Sequence, residues 1–91
     1  MKHEELSELQ HMKELFKKLQ ELQYSTIGDP ALYISVDTGG YLHSMTACVH
    51  VNEKCFKKNI KIFNLATFLS SQENEETYSS CVAFVNAHRT L

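Results

Sequence analysis

The chain has 91 residues, a formal net charge of −2, 43% hydrophobic residues and 22% charged ones. These values describe one folded domain, and a balance so near neutral offers no general attraction to nucleic acid or to an anionic membrane. No apolar run reaches the roughly 18–20 residues that span a bilayer, and the opening MKHEELSELQ has no apolar stretch of the secretory kind. Cys48, Cys55 and Cys81 are odd in number and widely spaced. They fit reduced thiols in a cytoplasmic protein better than a disulfide framework, although a mature secreted form would also lack its signal.

From about His3 to Tyr24 there is neither Gly nor Pro, and Leu6, Leu9, Met12, Leu15, Phe16, Leu19 and Leu22 recur at steps of three and four. That spacing predicts an amphipathic helix. Glu4, Glu5 and Glu8 suit its positive end and Lys17 and Lys18 come later. Gly28, Asp29 and Pro30 stop it. The apolar stripe is expected to pack on a sheet. Leu9 with Phe16 and Leu15 with Leu22 also repeat at seven, so homodimerisation through part of this first helix is compatible with the pattern.

Residues 31–51, ALYISVDTGGYLHSMTACVHV, form two β-prone runs around Gly39 and Gly40. A two-residue turn at that pair predicts a hairpin pairing Thr38 with Tyr41, Val36 with His43, Ile34 with Met45 and Leu32 with Ala47. Leu32, Ile34, Val36, Met45, Ala47, Val49 and Val51 then share one face. Tyr33, Ser35, Asp37, Ser44, Thr46, Cys48 and His50 share the other.

The polar residues 52–59 suit a connection. Residues 60–68 are expected as a third strand pairing with 41–51, bulged near Asn64, although Ile62, Leu65, Ala66 and Leu69 would also suit a helix. Residues 70–76 are expected as a loop leading into a last helix that runs to about Thr90 and is lined by Tyr78, Cys81, Val82 and Val85. A fourth strand is the alternative, because CVAFV is β-prone. The predicted fold is α+β: a three-stranded antiparallel sheet with a long N-terminal helix and a C-terminal helix, in the order α-β-β-β-α.

Chemistry is sparse. Asp37-Thr38-Gly39 matches the catalytic loop of aspartic proteases, which share a proton between two such aspartates. The opening helix and the lack of glycines beyond Gly40 before the chain's end do not fit that all-β architecture, and Asp and Gly are what hairpin turns select. Cys48, His50, Cys55 and Cys81 include zinc-binding types, but not at the two-to-four-residue spacings of a strong zinc signature. Isolated cysteines more often act as small apolar residues. No local motif joins a nucleophile to a base, and no phosphate loop is present. No catalytic residue, metal or cofactor is expected, and the protein is not expected to be an enzyme.

Lys54, Lys57, Lys58 and Lys61 stand against Glu53 alone within residues 53–68, a local charge of about +3 that leaves about −5 elsewhere. Tyr33, Gly40-x-x-His43, Thr46, Val49 and Val51 are spaced over about twenty residues in a way that is similar to double-stranded-RNA-binding domains, which share the α-β-β-β-α order. That resemblance implies a Gly-Pro-x-His loop in the RNA minor groove and a lysine-rich start of the last helix on phosphates. Here Tyr41 stands in place of Pro, and the last helix begins with Glu73, Glu75 and Glu76. Common descent would imply a domain that lost RNA binding and kept protein contacts.

The expected function is a small non-enzymatic protein-binding module that acts by surface occlusion. In size and layout it is similar to small phage or mobile-element inhibitors of host machinery, anti-CRISPR proteins among them, by analogy of architecture with no shared motif. Binding is expected on the polar sheet face at Tyr33, Thr46, His50, Phe63 and Lys61. Glu73, Glu75 and Glu76 form an expected acidic surface that would mimic phosphates to a basic partner, the plainer role being dipole compensation and solubility. The alternative is a nucleic-acid-binding, or degenerate double-stranded-RNA-binding-like, regulatory domain.

Overall fold

A computed structural model describes residues 3–40, 43–52 and 58–90. The chain forms α1 (His3–Ser25), β1 (Leu32–Gly39), β2 (Ser44–Asn52), β3 (Lys58–Ala66) and α2 (Ser71–His88). This is the predicted α-β-β-β-α order, with an antiparallel sheet of strand order β1-β2-β3. Both helices lie on one face of the sheet and pack against each other.

Met12, Leu15 and Leu19 of α1 are fully buried, with Phe16 and Leu22 packed at the margin. The helical stripe therefore serves the core of its own chain. Burial of each such side chain stabilises by roughly 1.5–3 kcal/mol. The helix ends where Thr26 N and Ile27 N reach back to Gln23 O and Tyr24 O, and Gly28 takes a φ of 91°.

Leu32, Ile34, Met45, Ala47, Val49 and Val51 are buried and Val36 partly so, as the alternation predicts. The register, however, differs from the expected one. Val36 pairs with Ala47, Ile34 with Val49, Leu32 with Val51 and Thr38 with Met45. The shift is four residues along β2; Tyr41 itself lies outside the described residues. Because four is even, every side chain keeps its face. Gly39 with Ser44 ends the ladder, and His43 N donates to Gly40 O at 3.1 Å. Only Gly40 of the glycine pair has a positive φ, 50°, so the two-residue turn that needs both is not formed.

β3 is a strand with unbroken register from Ser44–Ala66 to Asn52–Lys58, and Asn64 pairs with Thr46 without a bulge. α2 starts earlier than expected, at Ser71, because the Ser70 hydroxyl accepts the Glu73 N–H at 3.1 Å as an N-cap. The helices run parallel: His11 faces Glu75, the Lys18 ammonium lies over the Tyr78 ring, and Arg89 Nη2 donates to Ser25 Oγ. Beneath them the buried Asp29 carboxylate accepts from Ala31 N, Thr90 N and Thr90 Oγ1 at 2.9, 2.7 and 2.6 Å. This tie fastens the end of α2 to the loop that opens the sheet.

Candidate functional site

With both helices on one face, the other face of the sheet stays open. Cross-strand register sorts it into rows: Tyr33, His50 and Ile60; then Ser35, Cys48 and Ile62; then Asp37, Thr46 and Asn64. Tyr33, Ile60 and Ile62 are 60%, 51% and 57% exposed. The Tyr33 and His50 rings lie 5.2 Å apart at 56°, and Thr46 Oγ1 donates to Asn64 Oδ1 at 2.9 Å. The result is a flat surface with an apolar end and a polar end. Tyr33 also lines a groove of about 500 Å³ that runs round the β1 edge to the exposed Tyr24 and Ile27.

Tyr33, Thr46 and His50 thus share this face, as expected. Phe63 and Lys61 do not. Phe63 is 6% exposed on the covered face, opposite the small Ala47, with its ring 6.1 Å from that of Phe84. Lys61 lies on the same covered face, its ammonium 5.8 Å from the Phe63 ring centre and 5.3 Å from that of Phe84. Its stem covers apolar surface while the charge faces the ring π-systems. The physical reason for the correction is volume: only a small residue fits in the middle of β2, and Phe63 fills the space that Ala47 leaves. The odd positions Phe63 and Leu65 face the core, which turns Ile60 and Ile62 outward. Those two isoleucines are the open-face residues that sequence reasoning missed.

The acidic trio is split as well. Glu73 and Glu76 line a groove between α2 and the β3 edge, while Glu75 faces α1 with Oε1 3.5 Å from His11 Nε2. Glu76 accepts from Gln72 Nε2 at 3.1 Å. They form no single phosphate-like patch.

Cys48 sits half-buried on the open face and Cys81 is fully buried on α2, on opposite sides of the sheet; both are free thiols. Cys55 lies outside the described residues. Among the described residues, no three His, Cys, Asp or Glu side chains gather as metal ligands. Burial pushes the Cys81 thiol up to about 11, which keeps it protonated and unreactive. Tyr78 is raised too, first by burial and then by neighbouring Cys81, Glu21 and Glu75. Both groups belong to the helical layer.

At the positions that the double-stranded-RNA-binding resemblance makes important, His43 is exposed with Nδ1 3.4 Å from Thr67 Oγ1, and Glu73 occupies the first turn of α2. Lys54 and Lys57 of the basic stretch lie outside the described residues. Among the described residues, no helix is long and apolar enough to cross a membrane. No protein-family model matches the chain, and neither a curated protein nor a solved structure does.

Proposed function

We propose that this chain is a non-enzymatic protein-binding domain that meets its partner with the open face of its sheet. The observation that carries the proposal is the exposure of Tyr33, Ile60 and Ile62 around His50, on a sheet whose other face is fully used by the helices. A partner that covers such side chains gains roughly 1.5–3 kcal/mol for each one fully buried. The polar row of Thr46, Asn64 and Asp37 beside them supplies a hydrogen-bonding rim of the kind protein interfaces use. The face is built on paired strands, so binding orders no loop of it.

Glutamates, where the RNA-binding pattern has lysines at the start of the last helix, favour a protein over an RNA partner. The perturbed Tyr78 and Cys81 lie away from the open face, which supports a binding role over catalysis. A cytoplasmic setting agrees with the free thiols Cys48 and Cys81. In its narrower form the proposal makes the protein a phage or mobile-element inhibitor that blocks host machinery by occlusion; its small size and α-β-β-β-α layout support that form by analogy of architecture.

The test is affinity capture from native extract with the wild type, the face variants Tyr33→Ala and Ile62→Asp, and the helical-side variant Glu75→Lys, after each is shown to be folded. A partner kept by wild type and Glu75→Lys but lost by both face variants supports the proposal. Capture that is indifferent to the face, or absent altogether, removes it. A concentration-dependent dimer that survives the face variants would instead point to the remaining surface of α1.

A further inference from the structure

We infer that the outer edge of β3 is a docking site for an extended segment of a partner protein, added as a fourth strand, with a lysine or arginine that reaches Glu73 and Glu76 on α2. The inference concerns the edge of the sheet; it shares Ile60 and Ile62 with the open face but rests on the outward backbone groups of β3.

The edge's hydrogen-bonding phase follows from two contacts. Thr67 N donates to His43 O at 2.9 Å, which continues the β2–β3 register and makes that pair a hydrogen-bonded one. In an antiparallel ladder such pairs recur at every second residue. Asn59, Lys61, Phe63 and Leu65 therefore direct their backbone groups to β2, and Ile60, Ile62, Asn64 and Ala66 direct theirs outward. Asn74 bears this out at Ala66: its side-chain amide accepts from Ala66 N at 3.1 Å and donates to Ala66 O at 2.8 Å. The amide acts as a one-residue strand partner. Beyond it, no hydrogen bond from the described residues reaches the outward groups of Asn64, Ile62 and Ile60.

A groove of about 620 Å³ lies along this edge, walled by Lys61, Phe63 and Asn64 on one side and by Glu73, Glu76, Thr77 and Ser80 on the other. An added strand would place alternate side chains on the two faces of the sheet. Those beside Ile60 and Ile62 would meet exposed apolar surface. Those beside Phe63 would point into the groove, where Glu73 and Glu76 are exposed carboxylates and Lys61, the one cation among the described residues of the lining, holds its ammonium over the Phe63 and Phe84 rings. The complementary segment thus alternates apolar with basic residues. Charge also argues against a second copy held lysine to lysine, since the edge carries Lys61 and self-pairing centred there would oppose like charges.

The probe is a blocked peptide that alternates valine with lysine, titrated into the full chain and read from amide resonances and amide exchange. Expected are shifts and slowed exchange at Ile62 and Asn64, at least a tenfold loss of affinity when the peptide backbone is N-methylated at alternate residues, and a similar loss in Glu76→Lys with none in Glu75→Lys. A peptide alternating valine with glutamate is expected not to bind. Ile62→Pro, which removes the outward N–H together with the side chain, should abolish binding, whereas Ile62→Ala, which keeps that N–H, should only weaken it. Equal binding of the N-methylated peptide, equal losses in Glu75→Lys and Glu76→Lys, or binding without a change at Ile62 overturns the inference. So does protection of the Ile62 amide that grows with protein concentration in the absence of peptide, because the occupant is then a second copy.

Discussion

Replacing Asn74 with alanine tests how the end of β3 is completed. Asn74 is 2% exposed and spends both ends of its amide on Ala66, which is itself 4% exposed. Truncation leaves a buried N–H and a buried C=O without partners, at about 1–3 kcal/mol each. Alanine returns about 0.5 kcal/mol through its better helix propensity. The net expected loss is about 1.5–5.5 kcal/mol, a large fraction of the total for a domain of this size. With a urea m value of about 1–1.5 kcal/mol/M, the unfolding midpoint should fall by at least about 1 M at unchanged slope.

Asn74→Asp sharpens the test. A carboxylate can still accept from Ala66 N but sets an oxygen against Ala66 O, so only the protonated acid can make both bonds. Its folded pKa is therefore raised above the unfolded value of about 3.9. Stability relative to the wild type is then best below that unfolded value and is lost as pH rises from it through the raised folded one. A midpoint shift below about 0.5 M for Asn74→Ala, or a pH-independent deficit for Asn74→Asp, would refute the strand-mimic role.

Three further outcomes are expected. Cys81 ionises near 9.0 when unfolded and about 11 when folded, so between those values the unfolded state holds fewer protons and stability falls as pH rises. The full fall is about 2–3 kcal/mol, of which about 2 kcal/mol is reached by about pH 10.5. Denaturation midpoints at pH 8 and 10.5 should fall further in the wild type than in Cys81→Ala, where the raised Tyr78 remains. Gly40→Ala forces a side chain into a φ of 50° and should cost about 1–2 kcal/mol, a Tm drop of about 4–8 °C per kcal/mol. Gly39→Ala asks only that the Ser44 hydroxyl, 2.9 Å from the new Cβ, rotate away, so its calorimetric shift should be smaller. Thr90→Val removes the 2.6 Å hydroxyl bond to Asp29 and should lower stability by about 1.5–3 kcal/mol, with faster exchange at the Ala31 amide.

The two faces of the hairpin were legible because each strand has only one apolar phase. The turn misled, since two glycines suggest a two-residue loop while only Gly40 needs its conformational freedom. The faces survived that error because the shift was even. β3 was harder. Ile60 and Ile62 are apolar in one phase, Phe63 and Leu65 in the other, and periodicity alone cannot choose between them. The choice was made by Ala47, a neighbour that is distant in sequence and small enough to admit a phenyl ring. Hence Tyr33, Thr46 and His50 were placed correctly and Phe63 and Lys61 were not. One signal could have helped: a small residue in the central strand requires a large one beside it. The parallel helices, and Asn74 as a strand partner, left no local trace in the sequence.

The tie between Asp29 and Thr90 joins positions 61 residues apart. During synthesis the hairpin can zip as soon as Asn52 is available, but Asp29 must wait for Thr90 before it gains those two donors. Until then α2 lacks this latch on the loop beneath it, so the carboxylate at the start of the sheet is completed only by Thr90, beyond the second helix.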